Sequence, residues 1–227
     1  GEVKGSDPAR GITRETRPAA DTDGPGAGHP AKVGRVRAGG AKARAKLVPV
    51  GDADLRKQAH NEVAAWQLLR LLGWADLGVA AVLRDVAVPG QGHLSAAVQE
   101  MLSGDDLQLC PDPRRFAIAD TLRAAIFDVL ITNTDREGNW FGMGSPRRLR
   151  LIDHGHSFGV HGTTVESVFV CMHANDRLDA SLSASLCALT TDALSEMSPL
   201  LPRSARASIC ARQRALLGGA SLSEACP

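Results

Sequence analysis

The chain has 227 residues, with 26 Lys and Arg against 25 Asp and Glu, 44% hydrophobic side chains, 4% aromatic ones and no tyrosine. That length suits one domain of ordinary size or two small lobes sharing a cleft, and a net charge of +1 argues against a protein that neutralises nucleic-acid phosphates over a broad surface. No apolar run approaches the roughly 18 residues of a membrane span and no signal peptide is legible, while five scattered cysteines without a C-x-x-C pair argue against a disulfide scaffold or structural zinc.

A cytoplasmic protein with no stable membrane insertion is therefore expected. The charge is unevenly placed. Residues 1–50 have a balance of +5 and residues 51–227 a balance of −4. Four of the five lysines, Lys4, Lys32, Lys42 and Lys46, fall in the first stretch, and Lys57 is the last. Every other cation is arginine. With abundant Ala and Gly, this resembles the coding bias of a GC-rich bacterial genome.

Residues 1–45 hold little core-forming material. The stretch 14–45 reads as flexible, with 21–30 a Gly- and Pro-rich loop, and short strands are read at 1–4, 10–13 and 33–37. Residues 43–50 read as a strand ending in a turn at 49–51. From Asp54, apolar residues at Ala59, Val63, Trp66 and within 69–72 recur at helical spacing, and Gly73 supplies a stop. Two strands, 80–88 and 93–102, flank a turn at 89–92. A second helix is predicted over 113–131, with Phe116, Ala119, Leu122, Ile126, Val129 and Leu130 on one face. Next come two short strands, 140–143 and 149–152, joined by Gly144-Ser145-Pro146. The last third is rich in Leu and Ala, with helical spacing over 178–194 and 205–217. The chain is thus mainly β, then mainly α.

The densest polar cluster, Asn133-Thr134-Asp135-Arg136-Glu137-Gly138-Asn139-Trp140, directly follows the second helix, and the hairpin after it ends at Asp153-His154-Gly155. Loops at one end of a small hairpin therefore deliver Asp135, Asn139 and Asp153 together. Magnesium takes one or two carboxylates plus phosphate oxygens and water, and phosphoryl transfer needs a carboxylate to orient the acceptor hydroxyl. Gly155 lets the backbone bend away once Asp153 is presented.

Asn-Thr-Asp-Arg-x-x-Asn-Trp followed by Ile-Asp-His-Gly resembles the catalytic and metal-binding loops of the phosphatidylinositol 3/4-kinase-like families and is similar to HipA-like toxin kinases. The likeness covers mainly residues 120–158, with a weaker echo in 61–74 and 82–86. It implies an α+β, two-lobed protein-kinase-like fold. A small β-rich N-lobe would span 1–102 and a mainly helical C-lobe 103–227. It further implies an ATP- and Mg²⁺-dependent phosphotransferase, with Asp135 as the catalytic base and Asn139 and Asp153 as magnesium ligands. Such a site also needs a strand lysine at the nucleotide phosphates and a helix glutamate to hold it. Glu62 is the only acid within 58–73, and Lys46 is preferred over Lys42. Gln99, Glu100, Met101 and Leu102 would form the hinge whose backbone meets the adenine. Arg136 reads as a structuring residue of the loop.

Two departures from the resemblance stand out. Asn139 follows Asp135 by four positions, where kinase loops commonly use five, and no G-x-G-x-x-G lies near the start; Gly5–Gly11 and Gly39-Gly40 are poor substitutes. They favour the rival reading, a catalytically inactive pseudokinase acting as a nucleotide-binding or scaffold protein. Transfer of AMP is a third reading. The phosphate acceptor, a protein Ser/Thr or a small-molecule or lipid hydroxyl, is not specified by the motifs. His154, His156 and His161 with Asp153 raise a zinc hydrolase as a weaker option. Cys171, Cys187 and Cys210 read as buried thiols, and Trp66, Trp74 and Trp140 as packing residues.

Overall fold

The computed structural model describes residues 14–15, 33–38, 41–88, 90–103, 107–159 and 164–226. Strands β1 (Arg14–Glu15), β2 (Val33–Ala38), β3 (Ala41–Leu47), β4 (Ala81–Val88) and β5 (Gly92–Glu100) form one sheet in the order β1-β2-β3-β5-β4. Each neighbouring pair is antiparallel. Helix α1 (Ala53–Leu71) lies between β3 and β4 in the chain. Alternation along β3 puts Ala43, Ala45 and Leu47 on one face, in a cluster with Val86, Val88, Leu94, Ala96 and Val98. Lys46 falls on the other face, where Leu55, Ala59 and Val63 of α1 pack with Val48, Ala81 and Ala97.

Within the stretch 14–45 read as flexible, the described residues form β1, β2 and the start of β3, and 16–32 lie outside the described residues. The small and charged side chains of these strands carry little apolar bulk. Main-chain pairing holds these strands, since β3 is paired on both edges, Lys46 opposite Val33 and opposite Ala97. The strands read at 1–4 and 10–13, the loop 21–30 and the glycines of 5–11 and 39–40 lie outside the described residues. Helix α1 begins where the Asp52 carboxylate accepts the Leu55 N–H at 2.8 Å. It ends at Gly73, whose φ of +74° lets Trp74 N–H return to the Leu69 carbonyl at 2.8 Å.

Helix α2 (Ile118–Ile131) starts later than predicted. Pro113–Arg115 form a separate single turn, closed by the Asp112 carboxylate on the Arg114 N–H at 3.0 Å, and Phe116 and Ala117 are extended. Ala119 is exposed rather than part of the apolar face, whereas 124–131 are buried all round. The hairpin β7 (Trp140–Met143) and β8 (Arg148–Leu151) is joined by an unpredicted β6 (Gln108–Leu109) in a second sheet, ordered β6-β7-β8.

The remaining helices are α3 (Val168–Met172), α4 (Ala180–Cys187), α5 (Thr191–Glu196), α6 (Arg203–Leu217) and α7 (Leu222–Ala225). The helix predicted over 178–194 is two, because Thr190 starts α5 by accepting the Ala193 N–H on its hydroxyl at 3.1 Å. Phe127, Leu130 and Ile131 of α2 meet Leu68 and Leu69 of α1 and Phe169, Leu186, Ile209 and Leu216 in the main core. The architecture is mixed α+β, with small antiparallel sheets and several helices.

Trp74 and Trp140 are buried as expected and Trp66 is half-buried, but the thiol reading is corrected: Cys171 and Cys187 are exposed, on the outer sides of short helices. Among the described residues no helix is long and apolar enough to cross a membrane.

Candidate functional site

One group of interacting charges gathers side chains from β3, α1 and the loop after β8. Lys46 Nζ lies 3.3 Å from Glu62 Oε1 and 3.0 Å from Asp153 Oδ1, joining residues 16 and 107 positions apart in the chain. Of the two lysines weighed, Lys46 is therefore the one seen at the cluster; Lys42 sits earlier in β3, paired with Arg37. Glu62 is buried, and its other oxygen accepts Gln99 Nε2–H at 3.0 Å and the His154 main-chain N–H at 2.9 Å.

One ammonium thus serves two carboxylates. Burial pushes Glu62 up to about 7 against the pull of Lys46, and Asp153 adds repulsion. Partial burial acts against ionisation of Asp153, but Lys46 outweighs it and holds that carboxyl at about 2. Lys46 is itself partly desolvated, yet the two carboxylates raise its pKa above the ordinary value. Left to itself, the cluster carries an excess of negative charge whenever Glu62 is ionised.

The loop after α2 is built by tight local bonds. Thr132, at φ +50°, ends α2 in a left-handed conformation. The Asn133 side-chain oxygen accepts the Asp135 N–H at 3.0 Å, and Thr134 Oγ1 donates to the His156 carbonyl at 2.8 Å. Asp135 is left half-exposed, one carboxylate oxygen 3.4 Å from His156 Nδ1. Asn139 donates its Nδ2–H to the Asp135 carbonyl at 2.7 Å, which leaves Oδ1 as the amide's acceptor end. The Asn139 carbonyl accepts the Ile152 N–H at 3.1 Å, bringing Asn139 beside the segment that carries Asp153.

Arg136 has the structuring place expected of it. It is wholly buried, and its guanidinium binds the Asp128 carboxylate, with contacts of 2.8 to 3.2 Å, and the carbonyls of Asn139 (2.8 Å) and Ile152 (3.0 Å). Asp128 also accepts from Asn133 Nδ2 at 3.0 Å and Ser167 Oγ at 2.7 Å. Asp128, Asn133 and Ser167 escaped the sequence reading. A signal existed: an acid inside the apolar run A-A-I-F-D-V-L-I must find a partner when that run is buried. Asn61, equally missed, donates to the turn after Asp153 from within α1.

Of the four hinge residues, Gln99 and Glu100 end β5, and Met101 and Leu102 lie just past the strand, half-buried. The Gln99 side chain is turned to Glu62, and the Glu100 N–H is bonded to the Ala80 carbonyl at 2.9 Å. The zinc reading finds no support. His154 is buried edge-on to Phe127 and accepts from Arg136 at Nδ1, and burial with that guanidinium holds its pKa well below the ordinary value. His156 instead sits by Asp135, and His161 is outside the described residues. Among the described residues no group of three or more His, Cys, Asp or Glu is arranged to hold a metal by itself. A cation here would need further oxygen ligands from a substrate or water.

No protein-family model matches the chain, and no curated protein matches it.

Proposed function

We propose that this chain is an ATP- and Mg²⁺-dependent phosphotransferase of two-lobed, kinase-like architecture, moving the γ-phosphoryl group to a hydroxyl. The observation that carries the reading is the meeting of Lys46, Glu62 and Asp153 within 3.3 Å, from three elements far apart in sequence. The sheet order β1-β2-β3-β5-β4, with α1 between β3 and β4, supports a small nucleotide lobe ending near residue 102. The helical remainder would be the second lobe.

The donor set fits magnesium. Asp153 has a carboxylate, one oxygen of which binds Lys46, and Asn139 an amide oxygen whose nitrogen is tied to Asp135; oxygen donors of this kind are what a hard cation takes. Magnesium, when bound, supplies charge neutralisation for the nucleotide phosphates. The chain's own residues do the rest. Lys46, held by Glu62, binds phosphate oxygens. Met101 and Leu102 offer backbone groups to the adenine. Asp135 orients the acceptor hydroxyl and takes its proton as the acceptor oxygen bonds to the γ-phosphorus, while the bond to the β-bridging oxygen breaks and ADP leaves. Arg136 keeps Asn139 and Ile152, and so the two donors, in register.

The acceptor is a hydroxyl of a protein Ser/Thr or of a small molecule or lipid. The test is label transfer from γ-labelled ATP, with α-labelled ATP as control, for wild type, Asp135→Ala and Asp153→Ala. Mg²⁺-dependent γ-label transfer lost in both variants is expected. Nucleotide binding without transfer to any acceptor pool would favour the inactive, nucleotide-binding alternative. Label from the α position alone would mean AMP transfer.

A further inference from the structure

Helix α1 does more at this site than present Glu62. Asn61, the residue before it, is 4% exposed, and its Nδ2 donates to the carbonyls of Gly155 at 2.8 Å and Ser157 at 2.9 Å. Glu62 accepts the His154 N–H at 2.9 Å. Two successive side chains of one helix thus grip the backbone of 154–157 with complementary polarity, amide to carbonyls and carboxylate to N–H. Both hydrogens of one nitrogen are used, a pattern no hydroxyl or carboxylate could reproduce.

The turn is also pressed against the helix. A Cβ on Gly155 would lie 3.0 Å from Lys46 Nζ and 3.2 Å from Gln58 Cβ, and Gln58 is one helical turn before Asn61 and Glu62. Asp153 itself stands at φ +51°, a left-handed conformation unfavourable for a residue with a side chain. Such a conformation persists only where surrounding contacts over-determine it. The contacts that do so follow it immediately.

We propose that Asn61 is a positioning residue: by binding the carbonyls of Gly155 and Ser157 it fixes Asp153 in the conformation that reaches Lys46, so the cation-binding carboxylate is set before any nucleotide arrives. Its purpose rests on the phosphotransferase reading; the clasp itself does not. Helix α1 and the turn 153–157 then open as one unit.

Two measurements on wild type, Asn61→Leu and Asn61→Ser test this. Amide hydrogen exchange by NMR reads the clasp directly. The wild-type His154 amide should open together with the interior amides of α1. In Asn61→Leu it should exchange at least about tenfold faster while the amides of the β7–β8 hairpin stay unchanged, with Asn61→Ser between. Titration of a fluorescent ATP analogue with and without Mg²⁺ reads the purpose. The Mg²⁺ concentration for half-saturation should rise about tenfold in Asn61→Leu, while Mg²⁺-free binding stays within about twofold.

An unchanged His154 amide overturns the clasp. Equal weakening with and without Mg²⁺ overturns the positioning role in favour of a merely structural one. Should Asn61→Leu not fold, wild type and Asn61→Ser decide on the same readouts. Should wild type show no Mg²⁺-dependent binding, the phosphotransferase reading falls, and the exchange data still decide the clasp.

Discussion

Two charged clusters lie within a few residues of each other, and they are built on opposite plans. Behind the loop, Arg136 and Asp128 are both wholly buried, and the carboxylate is closed off further by Asn133 and Ser167. In front, Lys46 faces two carboxylates, one buried and one with a side chain 44% exposed. The first cluster balances its charge and excludes water. The second leaves charge unbalanced and one edge open. Saturation marks a structural brace, and unfilled valence marks a place built to receive something.

The largest test of that contrast is Arg136→Met. It strands the Asp128 carboxylate in the core and should cost about 3–5 kcal/mol in denaturant unfolding, partly recovered in Arg136→Met/Asp128→Leu. Without such recovery the pair would not be the self-contained brace described. Lys46→Met should act the other way round. Phosphoryl transfer should fall on the order of 100-fold, about 3 kcal/mol of transition-state stabilisation, while the midpoint of unfolding moves by only a few degrees. Asp153→Asn gives up a half-exposed carboxylate held by Lys46, so it should cost only about 1 kcal/mol, well short of the loss at Arg136. A large loss of stability there would make the front cluster a second brace.

The pH dependence sharpens the same point. Glu62 is held up at about 7, so the stability linked to its proton is present below the ordinary carboxylate range and lost as pH rises through 7. Between pH 5 and 8, without metal, wild type should lose about 1–3 kcal/mol relative to Glu62→Gln. Asp153, held at about 2, gives the opposite sign: its contribution is present above about pH 4 and lost as pH falls toward 2. Parallel stability curves for wild type and Glu62→Gln would contradict the crowded-carboxylate description. The smallest expected effect is that of Gly155→Ala. Its methyl group would press Lys46 Nζ and Gln58, and label transfer should drop about tenfold, with unfolding nearly unchanged.

What the sequence made legible follows from how each signal is written. Helix α1, strands β4 and β5 and the β7–β8 hairpin have apolar periodicity or turn residues, and their bounds fall within a few residues of those predicted. Strands β2 and β3, read at 33–37 and 43–50, are found at Val33–Ala38 and Ala41–Leu47; their bounds are set by main-chain pairing, which leaves little trace in side-chain type. The predicted placing of Lys46 against Glu62 is matched by the geometry, since few lysines and few helix acids were available. Asn61 was hidden because a buried amide on an amphipathic helix looks the same as a solvated one. The bond from the Gln99 side chain to Glu62 left no trace of its own either, since the sequence reading of Gln99 concerned only its backbone.

The most direct measurement is a crystal structure with Mg²⁺ and a non-hydrolysable ATP analogue. Asp153 and Asn139 Oδ1 should each lie about 2.0–2.1 Å from the cation, with Lys46 on the phosphates and Asp135 facing the γ-phosphorus. A nucleotide bound elsewhere, or Asn139 turned away from the cation with Lys46 still locked between its carboxylates, would contradict the account.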